Sequence, residues 1–180
     1  MENNARIYLS IFDELFFFGS IGRRCTITWS SLGPCTLGRC TPIQYGLETH
    51  CIIELDIKFT GDVVSDKNLL LETLLHEMCH AFLEIYACHA SECFLEREHG
   101  GVTGHGRAWE MVATAAQNTA NRNFHLQLDL NIASSVERDR NSRRQSWCNF
   151  MDEQLEKAEE DFEELEDCLD ESESDSDSDW

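Results

Sequence analysis

The stretch "ETLLHEMCHAF", residues 72–82, constrains this chain more than any other. It sets His76 and His80 four residues apart, with Glu77 beside the first. Two imidazoles at that spacing lie on one face of a helix, and zinc takes neutral imidazoles held at fixed geometry. Glu77 is one step round the helix from His76. It therefore projects beside such a metal rather than onto it, and can take a proton from a water that the metal polarises. The competing reading is a helix that happens to carry two imidazoles.

The surroundings favour a metal helix. Leu71, Leu74, Leu75, Met78, Phe82 and Ile85 form a buried stripe for a helix from about Asn68 to Tyr86, with Ser65 or Asp66 as its cap. Upstream, "CIIELDIKFT" (51–60) alternates, so Ile53, Leu55, Ile57 and Phe59 share one face of a half-buried strand. "CTITWSS" (25–31) reads as a strand, and residues 32–49, which hold both prolines, as loop or hairpin. Residues 5–18 read as a first helix on the spacing of Ile7, Ile11, Leu15 and Phe18. Alanine-rich 107–122 reads as a further helix, and 124–132 as a late strand or extended segment. A few strands packed with a metal helix and a following helix make an α+β domain.

A catalytic zinc usually has three protein ligands and an open position. His89, His99, His105 and His125 are the downstream candidates. His105 lies in "TGHGRAW", where a glycine on each side lets the backbone approach closely. His99, in "REHGGV", competes, and spacing alone does not exclude it. Trp109, one helical turn after His105, is placed to pack beneath the metal. "CTLGRC" and "CHASEC" each space two cysteines by five, so Cys35, Cys40, Cys88 and Cys93 are candidates for a second, structural metal.

Charge divides the chain. Residues 152–180 hold 16 of the 34 acidic residues and one of the 14 basic ones. An acidic chain repels phosphate backbones, so direct nucleic-acid binding without a partner is not expected. The arginines at 138, 140, 143 and 144 alternate with acids and read as a solvated linker spanning 133–148. Residues 149–171 space Leu155, Ala158, Phe162, Leu165 and Leu169 by three and four, an acidic amphipathic helix that can dock a protein partner or cover the domain's own apolar surface. Residues 172–180 read as a disordered acidic tail whose serines suit an acid-directed kinase. No signal peptide or membrane span is expected, and nine cysteines without an export signal read as reduced thiols in the nucleus or cytoplasm.

Four ordered elements resemble the SprT-like family of zinc metalloproteases. "FDELFFFGSIGRRCTITWSS" looks like its opening helix and first strand, and "CIIELDIKFT" like its later strand. "LLETLLHEMCHAFLEIYA" matches its metal helix, and "TGHGRAWEMVATAA" its H-G-x-x-[WF] element. The resemblance implies a zincin-like domain over 5–132, with zinc held by His76, His80 and His105 and with Glu77 as general base of peptide-bond hydrolysis. Many relatives carry a C-terminal four-cysteine zinc ribbon; only Cys148 and Cys168 follow residue 110, so no ribbon is expected. Three functions follow as expectations: an intracellular zinc endopeptidase acting on protein substrates; a catalytically idle zinc-binding interaction module; and a protease brought to DNA-associated proteins by a separate partner.

Overall fold

The computed structural model describes residues 2–60, 66–87 and 103–173. The expected irregular loop, with Cys88, His89, Cys93 and His99, therefore lies outside the described residues, as do the Ser65 cap and the tail from 174. The chain divides into two compact units, Met1–Asp139 and Arg140–Trp180.

The first unit is α+β. Strands β1 (Cys25–Ser30), β2 (Gly38–Tyr45) and β3 (Glu48–Asp56) form a sheet in the order β1-β3-β2. The central strand β3 is parallel to β1 and antiparallel to β2, with Cys25 opposite Cys51 and Cys40 opposite Ile53. The β2–β3 turn passes through Gly46 at φ 64°, left-handed backbone that glycine adopts freely. Residues 32–49 are thus largely a hairpin, and β2 lies at the edge of the sheet. Cys51, Ile53 and Leu55 point to one face and are fully buried; helix α2 (Asp66–Tyr86) packs across β3 and β2. Leu74, Leu75, Met78 and Cys79 of α2 complete this core. Helices α1 (Glu2–Phe16) and α3 (Arg107–Asn123) pack on α2, and α4 (Ile132–Glu173) begins in this unit.

Four expectations change. On α1, Ile7, Ile11 and Leu15 face outward, and Phe18, past the end of the helix, is 92% exposed, while Ala5, Leu9 and Phe12 are buried. The helix carries two apolar faces, and packing against α2 selects the one with the small Ala5. Strand β3 ends at Asp56, not 60, because the Asp56 carboxylate accepts from the N–H of Lys58 and of Leu32 and turns the chain. A 3-10 turn over Ile57–Thr60 then leaves Ile57 exposed and Phe59 buried.

Residues 124–131 form no strand. His125, Gln127 and Asn131 have φ of 53°, 52° and 54°, which breaks a strand. Leu128 and Leu130 are nevertheless buried. Side chains replace the missing ladder: Asn121 brackets Leu128 through both its amide atoms, at 2.7 and 2.9 Å, and Gln117 Oε1 accepts from the Leu130 N–H at 2.7 Å.

Finally, the stretch 133–148, expected as a linker, is helical, because α4 starts at Ile132 and seats Ser135, Val136 and Asp139 in the interior. In the second unit, helix α4 carries Trp147 and Phe150 as exposed neighbours with ring centroids 6.1 Å apart. The helix continues to Glu173 and so includes the acidic stretch 149–171. Among the described residues no helix is long and apolar enough to cross a membrane.

Candidate metal centre

His76 and His80 project from consecutive turns of α2 toward His105, in the turn that precedes α3. The Nε2 atoms of His76 and His105 are 3.0 Å apart, and those of His80 and His105 are 3.2 Å apart. Two ligands about 2.0–2.1 Å from a tetrahedral zinc stand roughly 3.3 Å apart, so the spacing fits one ion. No other group of histidine, cysteine or carboxylate side chains among the described residues converges in this way. His125 is exposed and stands apart from the cluster.

The protons strengthen the fit. His76 Nδ1 lies 3.0 Å from the carbonyl oxygen of Leu130. A carbonyl only accepts, so Nδ1 carries the proton and Nε2 presents a bare lone pair. His105 Nδ1 lies 3.0 Å from Thr103 Oγ1. Thr103 in turn donates its backbone N–H and its hydroxyl to Asp139 Oδ1, at 2.7 and 2.9 Å. Lone pairs therefore face one another across 3.0 Å, an arrangement a shared cation relieves. Burial and mutual repulsion keep the rings neutral: His80 is pushed down to about 2 and His105 to about 4, in each case by burial first, and His76 is lowered likewise.

Trp109 is fully buried beneath the cluster. Its ring centroid lies 4.6, 5.3 and 4.5 Å from those of His76, His80 and His105, stacked on His80 at 23°. Gly104, at φ 77°, makes the turn that brings His105 in, with His80 3.4 Å from where a Cβ would stand.

Glu77 lies in the same cleft of about 560 Å³, beside the three histidines, Thr73, Gly38 and Arg138. Burial raises its carboxyl to about 8, against the opposing pull of Arg39 and of the Cys40 backbone N–H. Edge strand β2 runs close beside this side chain at Gly38. Gly38 is required there, because a Cβ would stand 2.8 Å from Glu77 Cγ and 2.7 Å from Thr73 Cγ2.

Of the cysteine set, Cys35 is exposed and Cys40 half-buried, and the two belong to no metal-ready group among the described residues. The Cys40 thiol is held up by its hydrogen bond with Cys51 and by burial, which opposes the thiolate a metal needs. Cys88 and Cys93 lie outside the described residues.

Sequence reasoning passed over Thr103, Asp139, Arg138 and the Leu130 carbonyl. Asp139 had one signal: it lies three residues after Val136 and seven after Ile132, where an apolar helical stripe places its next inward residue.

A model of the SprT-like family matches residues 5–131. Over 92 residues the chain is 33% identical to the germ cell nuclear acidic protein of Drosophila melanogaster. That stretch is 51% of this chain and 7% of the fly protein, so the chain spans less than a tenth of that relative's length.

Proposed function

Because this chain belongs to the SprT-like family, we propose that it is a zinc-dependent endopeptidase in which His76, His80 and His105 hold the metal and Glu77 is the general base. The observation that carries this reading is the convergence of three imidazole Nε2 atoms beside one buried carboxyl in an open cleft. Zinc held by three imidazoles supplies a Lewis acid that activates water and polarises a carbonyl.

The chain's own groups do the rest. Glu77 is protonated at neutral pH in the metal-free chain, and a dication beside it favours the carboxylate. Glu77 then takes a proton from the attacking water and returns it to the amide nitrogen as the C–N bond breaks. Gly38 lets β2 approach Glu77 closely, which keeps the carboxylate on the cleft side. An extended substrate peptide pairs with the outer edge of β2, which β3 leaves free on that side. His105 and Trp109 close the floor of the site and exclude water from beneath the metal. Protein substrates in the nucleus or cytoplasm fit this reading, and the acidic helix after residue 149 is the segment left for recruiting a protein partner.

The test is metal content and cleavage of an unfolded protein by the 180-residue chain and by Glu77→Gln. Both should hold zinc, and the variant should cleave at least about 10²-fold more slowly. Equal cleavage by the two proteins overturns the reading. Zinc bound by both without cleavage by either leaves the interaction module in its place.

A further inference from the structure

We propose that Asp139 is a positioning residue for the metal centre, acting on His105 through the hydroxyl of Thr103. The inference rests on the reading above that His105 holds the metal.

The geometry allows little freedom. Asp139 is 1% exposed, on the second turn of α4. Its Oδ1 receives both the backbone N–H and the hydroxyl proton of Thr103, at 2.7 and 2.9 Å. A hydroxyl has one proton, so a Thr103 that donates to Asp139 offers only lone pairs to its other neighbour. That neighbour is His105 Nδ1, at 3.0 Å. Nδ1 must then carry the ring proton, and Nε2 presents its lone pair to His76 and His80, the direction a metal needs. The backbone bond to the same carboxylate fixes the turn from which the ring projects. Outer partners that hold a ligand's tautomer and orientation typically account for 10–100-fold in metal affinity.

His105 needs this support more than its companions. His76 is oriented by the Leu130 carbonyl, and His80 is stacked on Trp109. His105 comes from a short turn rather than the middle of a helix. Without the relay the neutral ring can place its proton on Nε2, where it blocks the lone pair.

Three variants of the 180-residue chain test the proposal: Thr103→Val, which removes the hydroxyl at nearly constant volume; Thr103→Ser, which restores it; and Asp139→Asn, which removes the charge and keeps an acceptor. Two measurements are read on each. One is the tautomer of His105 in the metal-free protein, from its ring ¹⁵N shifts. The other is zinc affinity by competition with a chromophoric chelator. Wild type and Thr103→Ser should hold the proton on Nδ1. Thr103→Val should move His105 toward the Nε2–H form and bind zinc about 10–100-fold more weakly, with Asp139→Asn falling between.

A Thr103→Val protein with the wild-type tautomer and wild-type affinity overturns the relay and leaves Asp139 as an anchor of the turn alone. Wild-type protein that binds no zinc overturns the parent reading instead, while the tautomer measurement still decides the relay. A variant that shifts the tautomer but not its melting temperature separates positioning from a general loss of structure.

Discussion

His76 Nδ1 lies 3.0 Å from the carbonyl oxygen of Leu130, 54 residues further along the chain. The partner belongs to a segment with no regular secondary structure, held in place by side chains of α3 and α2. Gln117 accepts from the Leu130 N–H at 2.7 Å, and Glu72 from the Asp129 N–H at 3.1 Å. The orientation of a metal-helix histidine therefore depends on how well an irregular strap is fastened.

Replacing Gln117 with Ala should loosen that strap. It leaves the buried Leu130 N–H without its acceptor, at a cost of about 1–3 kcal/mol. Zinc affinity should fall by about tenfold, because the carbonyl that orients His76 loses its anchor. Urea unfolding and chelator competition read the two effects. A full stability loss with unchanged zinc affinity would show that the strap and the histidine are independent.

Gly38→Ala probes the contact between β2 and the carboxylate. The added Cβ would stand 2.7–2.8 Å from Thr73 and Glu77, so one side must shift. Overpacking of this kind costs about 1–3 kcal/mol. The variant should keep its zinc and lose at least about tenfold in peptidase rate through displacement of Glu77. Wild-type turnover in a protein destabilised by that amount would mean that the strand yields and the carboxylate does not.

The stability of the metal-free protein should respond to Glu77 with a definite sign. An unfolded glutamate titrates near 4.5 and the folded Glu77 near 8. Between those values the folded chain binds more protons, so stability falls as pH rises. Glu77→Gln does not titrate. Relative to wild type it should gain stability from about pH 4.5 to 8, by up to a few kcal/mol, and then level off. Below pH 6.5 the histidines act in the opposite sense. With folded values near 2 for His80 and 4 for His105, their contribution is full above 6.5 and is lost as pH falls. Denaturant titrations of chelator-treated protein at pH 5, 7 and 8.5 measure the difference; a constant offset across all three would refute the burial effect.

Much of this architecture is legible in the chain because local patterns and packing agree. The stripe from Leu71 to Ile85 predicts α2 within two residues at its start, since helical spacing and burial coincide there. Where two patterns compete, sequence alone chooses badly. The first helix offers Ile7–Ile11–Leu15 and Leu9–Phe12 as rival stripes, and only the fit of Ala5 against its neighbours separates them. Residues 124–132 alternate like a strand, but they lie where Asn121 and Gln117 supply the hydrogen bonds a neighbouring strand would have made. The two-histidine helix and His105 are visible in the one-dimensional pattern. Asp139 is far less visible, because only its helical spacing from Ile132 and Val136 marks it within a run of arginines that reads as solvated.

Gly46 and Leu47 join β2 to β3 as a two-residue turn, so Tyr45 and Glu48 form the first hydrogen-bonded pair of the ladder. Alternate residues from that pair bond β3, so the residues of β2 whose backbone faces away from β3 are Gly38, Cys40, Pro42 and Gln44. Pro42, within that edge, has no N–H. That edge thus carries four carbonyl groups and three N–H groups, with the gap at Pro42. A strand arriving from solvent meets a missing rung at Pro42, which limits the ways it can align and disfavours extension of the sheet by a second copy of this chain.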